Sequence, residues 1–173
     1  MIYAHDTEES LVSAAWLVNC ETLNIEDLAA FWTQFGYSGR FDGDEAELHE
    51  VQRLRPHLRE LLLAERDEAV ELVNHHLERA RAVPRLVRHD HLDWHIHAVA
   101  DDRPLAERIL VETAMAMIDL IRADDLSRLS ICHDPTCDGV VVDLSRNRSR
   151  KYCTATCGNR VAVAAYRDRQ KEF

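Results

Sequence analysis

The chain has 173 residues, 46% of them apolar and 6% aromatic, which is room for one ordinary domain and a small appendage. It has no run of eighteen apolar residues, and MIYAHDTEES has neither the basic nor the apolar region of an export signal. The sequence therefore predicts a cytoplasmic protein with no membrane span. Net charge is −10 and uneven: residues 131–173 hold eight Lys/Arg against five Asp/Glu, while the first 130 residues carry −13. An acidic body repels nucleic acid and a basic tail attracts it, so the charge step predicts a domain boundary near residue 130.

The body reads as mainly helical. Asp6-x-x-Glu9 predicts a capping box, with Leu11, Ala14, Ala15 and Val18 facing inward. Asn24 caps a second predicted helix bearing Leu28, Phe31, Trp32 and Phe35, stopped by Gly36. YSGRFDGD reads as a loop. Asp44-x-x-Glu47 opens a third helix through Leu48, Val51, Leu54, Leu58, Leu61 and Leu62, with a kink or a break expected at Pro56. A fourth runs from about Asp67 to Ala82 and ends before Pro84, with Leu72, Val73, His76, Leu77 and Ala80 on one side.

The period then changes from helix to strand. Leu92, Trp94, Ile96 and Ala98 alternate with Asp93, His95 and His97, which predicts a half-buried strand, with PRLVR as its partner across His89–His91. Pro104 suits the first position of a fifth helix carrying Leu105, Ile109, Thr113, Met117, Leu120 and Ile121. His89, His91, His95 and His97 form an H-x-H-x₃-H-x-H pattern. On a strand His95 and His97 share a face, which permits joint ligation of a second metal with an acid such as Asp93, although a polar strand face and a turn explain the pattern more simply. His75 and His76 read as structural, and Cys20 as core filling. Neither a phosphate-binding glycine loop nor a nucleophile motif is present, so the sequence predicts no enzyme.

Four of the five cysteines lie in residues 131–160. Cys132-x₄-Cys137 and Cys153-x₃-Cys157 are two close pairs separated by a hairpin-sized span. This is the donor set of a tetrahedral zinc site, and four thiolates leave no open position, so the predicted Zn2+ is structural. Val140–Leu144, a polar turn at Ser145–Ser149 and Lys151–Tyr152 read as strand, turn, strand. Thr154 caps a last helix, which places Cys157 in its first turn. A segment this small cannot bury enough apolar area to fold alone, and zinc supplies the deficit.

Cys157-Gly158-Asn159-Arg160, with Cys132, Cys137, Cys153, Val142-Asp143-x-Ser145 and the basic run before Cys153, resembles the CGNR zinc-finger family over about 43 residues. In that family the finger follows a helical domain called ABATE. Leu17-Val18-Asn19, Asp27-Leu28, Leu58-Arg59-Glu60 and Leu72-Val73-Asn74 are similar to landmarks of that domain. The resemblance implies a stress-induced transcription regulator with a helical ligand-sensing or dimerisation domain at 1–128 and a finger at 129–173. It makes Asn19, Arg59 and Asn74 the ligand-binding candidates.

DNA is the implied partner. Arg146, Arg148, Arg150 and Lys151 would hold phosphates, and Arg160 would contact phosphate or brace the finger. The alternation in Arg146-Asn147-Arg148-Ser149-Arg150 places the arginines on one side of an extended hairpin. Tyr152 and Ala162 stand where the family has tryptophan and lysine, and the last helix carries apolar Val161, Ala162, Val163 and Ala165. That departure favours weaker phosphate contact, or a zinc-stabilised protein-interaction module without DNA binding.

Overall fold

The computed structural model describes residues 3–89 and 93–171. Helix α1 (His5–Asn19) begins one residue before Asp6, so Asp6 lies inside the first turn and the expected capping box does not form. Its carboxylate accepts instead from the Thr7 amide and, through the other oxygen, from the Ile96 amide at 3.0 Å. The far end of α1 is held by Arg55, whose Nε donates to the Leu17 carbonyl at 2.8 Å and satisfies one of the acceptors every helix C-terminus leaves open. The caps expected downstream do form. Asn24 and Asp27 exchange side-chain and backbone bonds at the start of α2 (Ile25–Gln34), and Asp44 accepts from the Glu47 amide at the start of α3 (Glu45–Leu63).

Helix α3 continues through Pro56 and does not divide into two. An internal proline costs about 3 kcal/mol. Burial of Val51, Leu54, Leu58, Leu61 and Leu62 along the same helix is worth about 1.5–3 kcal/mol each, so packing outweighs the lost bond. Helix α4 (Arg66–Ala80) stops at Arg81 in the left-handed conformation, before Pro84 as expected. Strands β1 (Arg85–Val87) and β2 (His95–His97) pair antiparallel with Arg85 opposite His97. His91 and Leu92 of the predicted turn and strand lie outside the described residues.

The hairpin's two faces are oriented against expectation. Leu86 and Trp94 are 67% and 64% exposed, while the face bearing His95 and His97 turns toward the bundle. Helix α5 (Leu105–Ala123) follows Pro104, which takes the cap position rather than the first helical one. Its Leu105, Ile109, Thr113, Met117 and Leu120 are buried, and it packs against α1, α3 and α4 as the central helix of the core.

After α5 the chain forms β3 (Leu129–Ile131) and β4 (Val140–Val142), which pair antiparallel. The expected partner of β4, Lys151–Tyr152, is not a strand, and the hairpin closes over the first cysteine pair instead. Leu129, Val140 and Val142 belong to the main core, whereas Val141 packs with Cys132 and Cys157 in a second, small one. Asn19 fixes the junction. Its side chain accepts from the Val140 amide at 2.6 Å and donates to the Val140 carbonyl at 2.8 Å, acting as one residue of an adjoining strand. Helix α6 (Ala155–Lys171) completes the chain's described part, and of residues 159–170 all but Val161 are exposed.

Asp125, between α5 and β3, forms a second junction. It accepts from the Tyr3 hydroxyl, from Arg128 at 3.0 Å and from Arg148 of the following segment. The hydrogen bonds from Tyr3 and then Arg128 hold its carboxyl down at about 2.

Two outcomes follow from these junctions. Asn19→Ala leaves a buried strand amide and carbonyl without partners, so urea unfolding should show a loss of about 1–3 kcal/mol. For Asp125 the folded pKa lies below the unfolded one. Its stabilisation is therefore present above the ordinary carboxylate range and lost as pH falls through about 2. Acid unfolding followed by circular dichroism should show a shallower pH dependence in Asp125→Asn than in the parent.

Candidate metal centre

Four sulfurs from three segments converge at the base of the finger. Cys132 follows β3, Cys137 lies in the β3–β4 loop, Cys153 precedes α6 and Cys157 sits in its first turn. Their Sγ atoms all lie within 4.8 Å of one another, with Cys137–Cys153 at 3.5 Å and Cys153–Cys157 at 3.7 Å. Bonds of about 2.3 Å to a tetrahedral ion place sulfurs about 3.8 Å apart, so the cluster fits one structural zinc ion.

The surroundings suit thiolates. Amides of Gly139 and Cys153 point at Cys137 Sγ and Cys132 Sγ at 3.4 and 3.5 Å, and Arg160 Nη2 donates to Cys157 Sγ at 3.2 Å. The Thr154 side chain, foremost, draws the Cys157 thiol down to about 7. Burial and then the neighbouring sulfurs push Cys153 well above its ordinary value. Four thiolates this close need a cation between them, and a divalent ion supplies that charge.

Gly139 is required by closeness. A Cβ there would sit 3.0 Å from Cys153 Sγ and 3.2 Å from Asn19 Oδ1, wedged between the metal site and the Asn19 junction. Arg160 performs the bracing role. Its Nε donates at 2.6 Å to Asp134, which is 1% exposed and also accepts from the Thr136 amide and hydroxyl. The arginine thereby ties the first cysteine loop to the second pair.

The basic run forms the expected polar turn, but its arginines do not share one side of an extended hairpin. Arg146 and Asn147 make a tight turn, and Arg148 has a left-handed backbone with φ 50°. Arg148 reaches back to Ser127 Oγ at 2.9 Å and to Asp125, while Arg150 donates to the Cys153 carbonyl at 3.0 Å. The three arginines therefore point to different places. Arg146 and Lys151 are exposed at the turn's outer edge.

Two of the three ligand-binding candidates serve the junction instead. Asn19 holds Val140, and Arg59 Nη2 donates to the Asp138 carbonyl at 2.6 Å. Asn74 is exposed on α4. None of them lines the cleft of about 610 Å³ that opens between α1, α5, residues 35–38 and the histidine face of β2. Sequence reading missed its charged lining, Arg108 and Glu112. Their signal was opposite charges four residues apart on α5, beside the buried Ile109 and Val111. Arg108 is buried, donating to the Arg103 carbonyl at 3.1 Å and to the carbonyls of Ser38 and Arg40. Burial holds the Glu112 carboxyl up at about 7, against the opposing pull of Arg108.

The shared strand sets the response to metal loss. The charge step implied a finger separable from the body, but Leu129, Val140 and Val142 sit in the body's own core. Cys153→Ser should lower zinc content by one ion per chain and also lower the thermal midpoint of the helical signal. Helical circular dichroism at low temperature should largely persist.

Residues 128–170 match the family described as CGNR zinc finger. Residues 14–124 match ABATE, described as "Putative stress-induced transcription regulator". No curated protein is significantly similar to the chain. The ABATE match spans well over half of the 173 residues, and with the four-thiolate centre in place behind it the chain belongs to the ABATE family with a CGNR zinc finger.

Proposed function

We propose that this chain is a DNA-binding transcription regulator, not an enzyme, working in a reducing cytoplasm where its thiols stay available to zinc. The observation that carries the reading is the contrast between an acidic helical body and a basic finger on which Arg146, Arg148, Arg150 and Lys151 are all exposed. Arg146 and Lys151 make the phosphate contacts, because Arg148 and Arg150 are also engaged in holding the turn. The exposed helix α6 extends the same element and adds Arg167 and Arg169.

The helical body takes a small ligand in its cleft and pairs two copies of the chain. Exposed Leu86, Trp94 and Ile96 on the outer face of the β1–β2 hairpin provide an apolar surface for that pairing. Two fingers held together compensate for the modest charge of one. Val163 and Tyr166, 48% and 58% exposed on α6, favour a second reading in which the finger docks a protein.

Salt dependence separates the two readings. Each phosphate contact contributes a slope of about −0.9 in log K against log salt. Binding of the full chain to duplex DNA should weaken steeply with salt. In the Arg146→Ala, Lys151→Ala double variant the slope should flatten by about 2, with zinc content unchanged. A slope unaffected by the substitutions would exclude these residues as phosphate contacts and favour the protein-docking reading.

A further inference from the structure

Away from the finger, three imidazoles meet on the wall of the cleft. His95 and His97 come from one face of β2, and His89 comes from the segment after β1. Their Nε2 atoms form a triangle: His95–His89 at 3.1 Å, His95–His97 at 3.1 Å and His89–His97 at 3.4 Å. Bonds of about 2.0–2.1 Å from three imidazoles to one tetrahedral ion set nitrogens about 3.3–3.4 Å apart, and the face of an octahedron sets them about 2.8–3.0 Å apart. The observed separations lie between the two geometries, with the longest at the tetrahedral value.

The outer nitrogens decide what the inner ones carry. His95 Nδ1 lies 2.7 Å from the Asp93 carbonyl oxygen, which can only accept, so Nδ1 bears the hydrogen. His97 Nδ1 lies 2.9 Å from Asp101 Oδ1, a carboxylate, with the same consequence. In their neutral forms both rings therefore present bare lone pairs from Nε2 atoms 3.1 Å apart. Two lone pairs facing at that distance repel unless a cation lies between them. A proton donated from the His89 ring would make a full hydrogen bond to only one of them.

The support behind the rings is of the kind metal-bound histidines have. Asp101 behind His97 and the Asp93 carbonyl behind His95 fix tautomer and ring orientation. Asp101 is itself fixed: its carbonyl accepts from the Arg40 amide at 2.8 Å, and Gly39, at φ +82°, lets the loop approach so closely that a Cβ there would lie on that oxygen. Arg108 in turn pins the loop through the Ser38 and Arg40 carbonyls. Asp101, rather than the Asp93 side chain, is the acid that serves these histidines.

We infer that His89, His95 and His97 form a second metal site on the helical domain, which takes a divalent first-row transition ion such as zinc. The site is independent of the finger and of the DNA-binding reading. Three neutral imidazoles and no thiolate suit zinc, cobalt, nickel or copper over magnesium or calcium. Three protein ligands leave at least one coordination position for water or for an oxygen or nitrogen donor of a small ligand in the cleft. Among the described residues no fourth histidine, cysteine or carboxylate completes the cluster.

The test uses the full chain, free of any histidine tag, equilibrated with micromolar zinc and analysed for metal. The parent should hold one more equivalent than the His95→Ala, His97→Ala double variant, and a Cys153→Ser variant should retain that extra equivalent. Asp101→Asn should weaken the second equivalent about 10–100-fold without touching the first. Cobalt substitution supplies a second readout. The ion lost in the double variant should lack the thiolate charge-transfer absorption that marks the finger's ion. Circular dichroism identifies any variant that fails to fold, and Asp101→Asn then carries the test alone. Equal metal content in the parent and a folded double variant would overturn the site, as would binding of the second equivalent only at millimolar metal.

Discussion

Strand β4 belongs to two cores at once, and the finger's relation to the rest of the chain depends on that. Side chains alternate across a strand, so three consecutive valines divide two to one: Val140 and Val142 into the helical core, Val141 onto the sulfur cluster. A finger this small has too little apolar surface to hold its shape, and it borrows the larger core on one side while zinc closes the other. The backbone edge beside β4 would otherwise lack a partner, and the Asn19 side chain supplies both a donor and an acceptor for Val140.

The polar contacts of this boundary are few and specific. Arg59 holds the Asp138 carbonyl, and Asp125 gathers Tyr3, Arg128 and Arg148. Each joins the helical domain to a loop adjoining the metal or the basic turn. A rotation of the finger relative to α1 has to break the Asn19 pair with the buried Val140, which is costly, while Arg59 and Arg148 reach across at the exposed rim. Strand β4 and the Asn19 pair seat the finger on the bundle, while α6 extends with nearly its whole circumference in solvent.

The cleft in the bundle has a different logic. Its walls carry the buried Arg108 and half-buried Glu112 of α5, with the histidine face of β2 across from them. Arg108 satisfies its guanidinium with backbone carbonyls of the loop, and its charge lies 5.5 Å from the centre of the Trp32 ring. The hairpin leaves Leu86 and Trp94 outside so that its polar face can be turned inward. An arrangement that exposes tryptophan in order to shelter histidine costs apolar burial, and it places the imidazoles where their positions are controlled.

Sequence by itself determined the elements with strong local causes. Asn24 and Asp44 carry caps whose donors lie three residues away, the stripes of α3 and α5 repeat at helical spacing, and the thiol donor set follows from cysteine type and pairing. The charge step near residue 130 was likewise legible, and so was the pairing of β1 with β2. Tertiary structure decided what depends on distant partners. Pro56 is tolerated because α3 is buried along its length, and Asp6 gives up capping to hold Ile96. The partner of β4 lies upstream because the loop of the first cysteine pair joins two paired strands, whereas the basic run turns without pairing. Asn19 and Arg59 turned out to serve the junction, since helix periodicity places a residue on a face without saying what stands opposite. Alternation likewise showed that β2 has two faces, but only the packing of α1 and α5 decided that the histidine face points in.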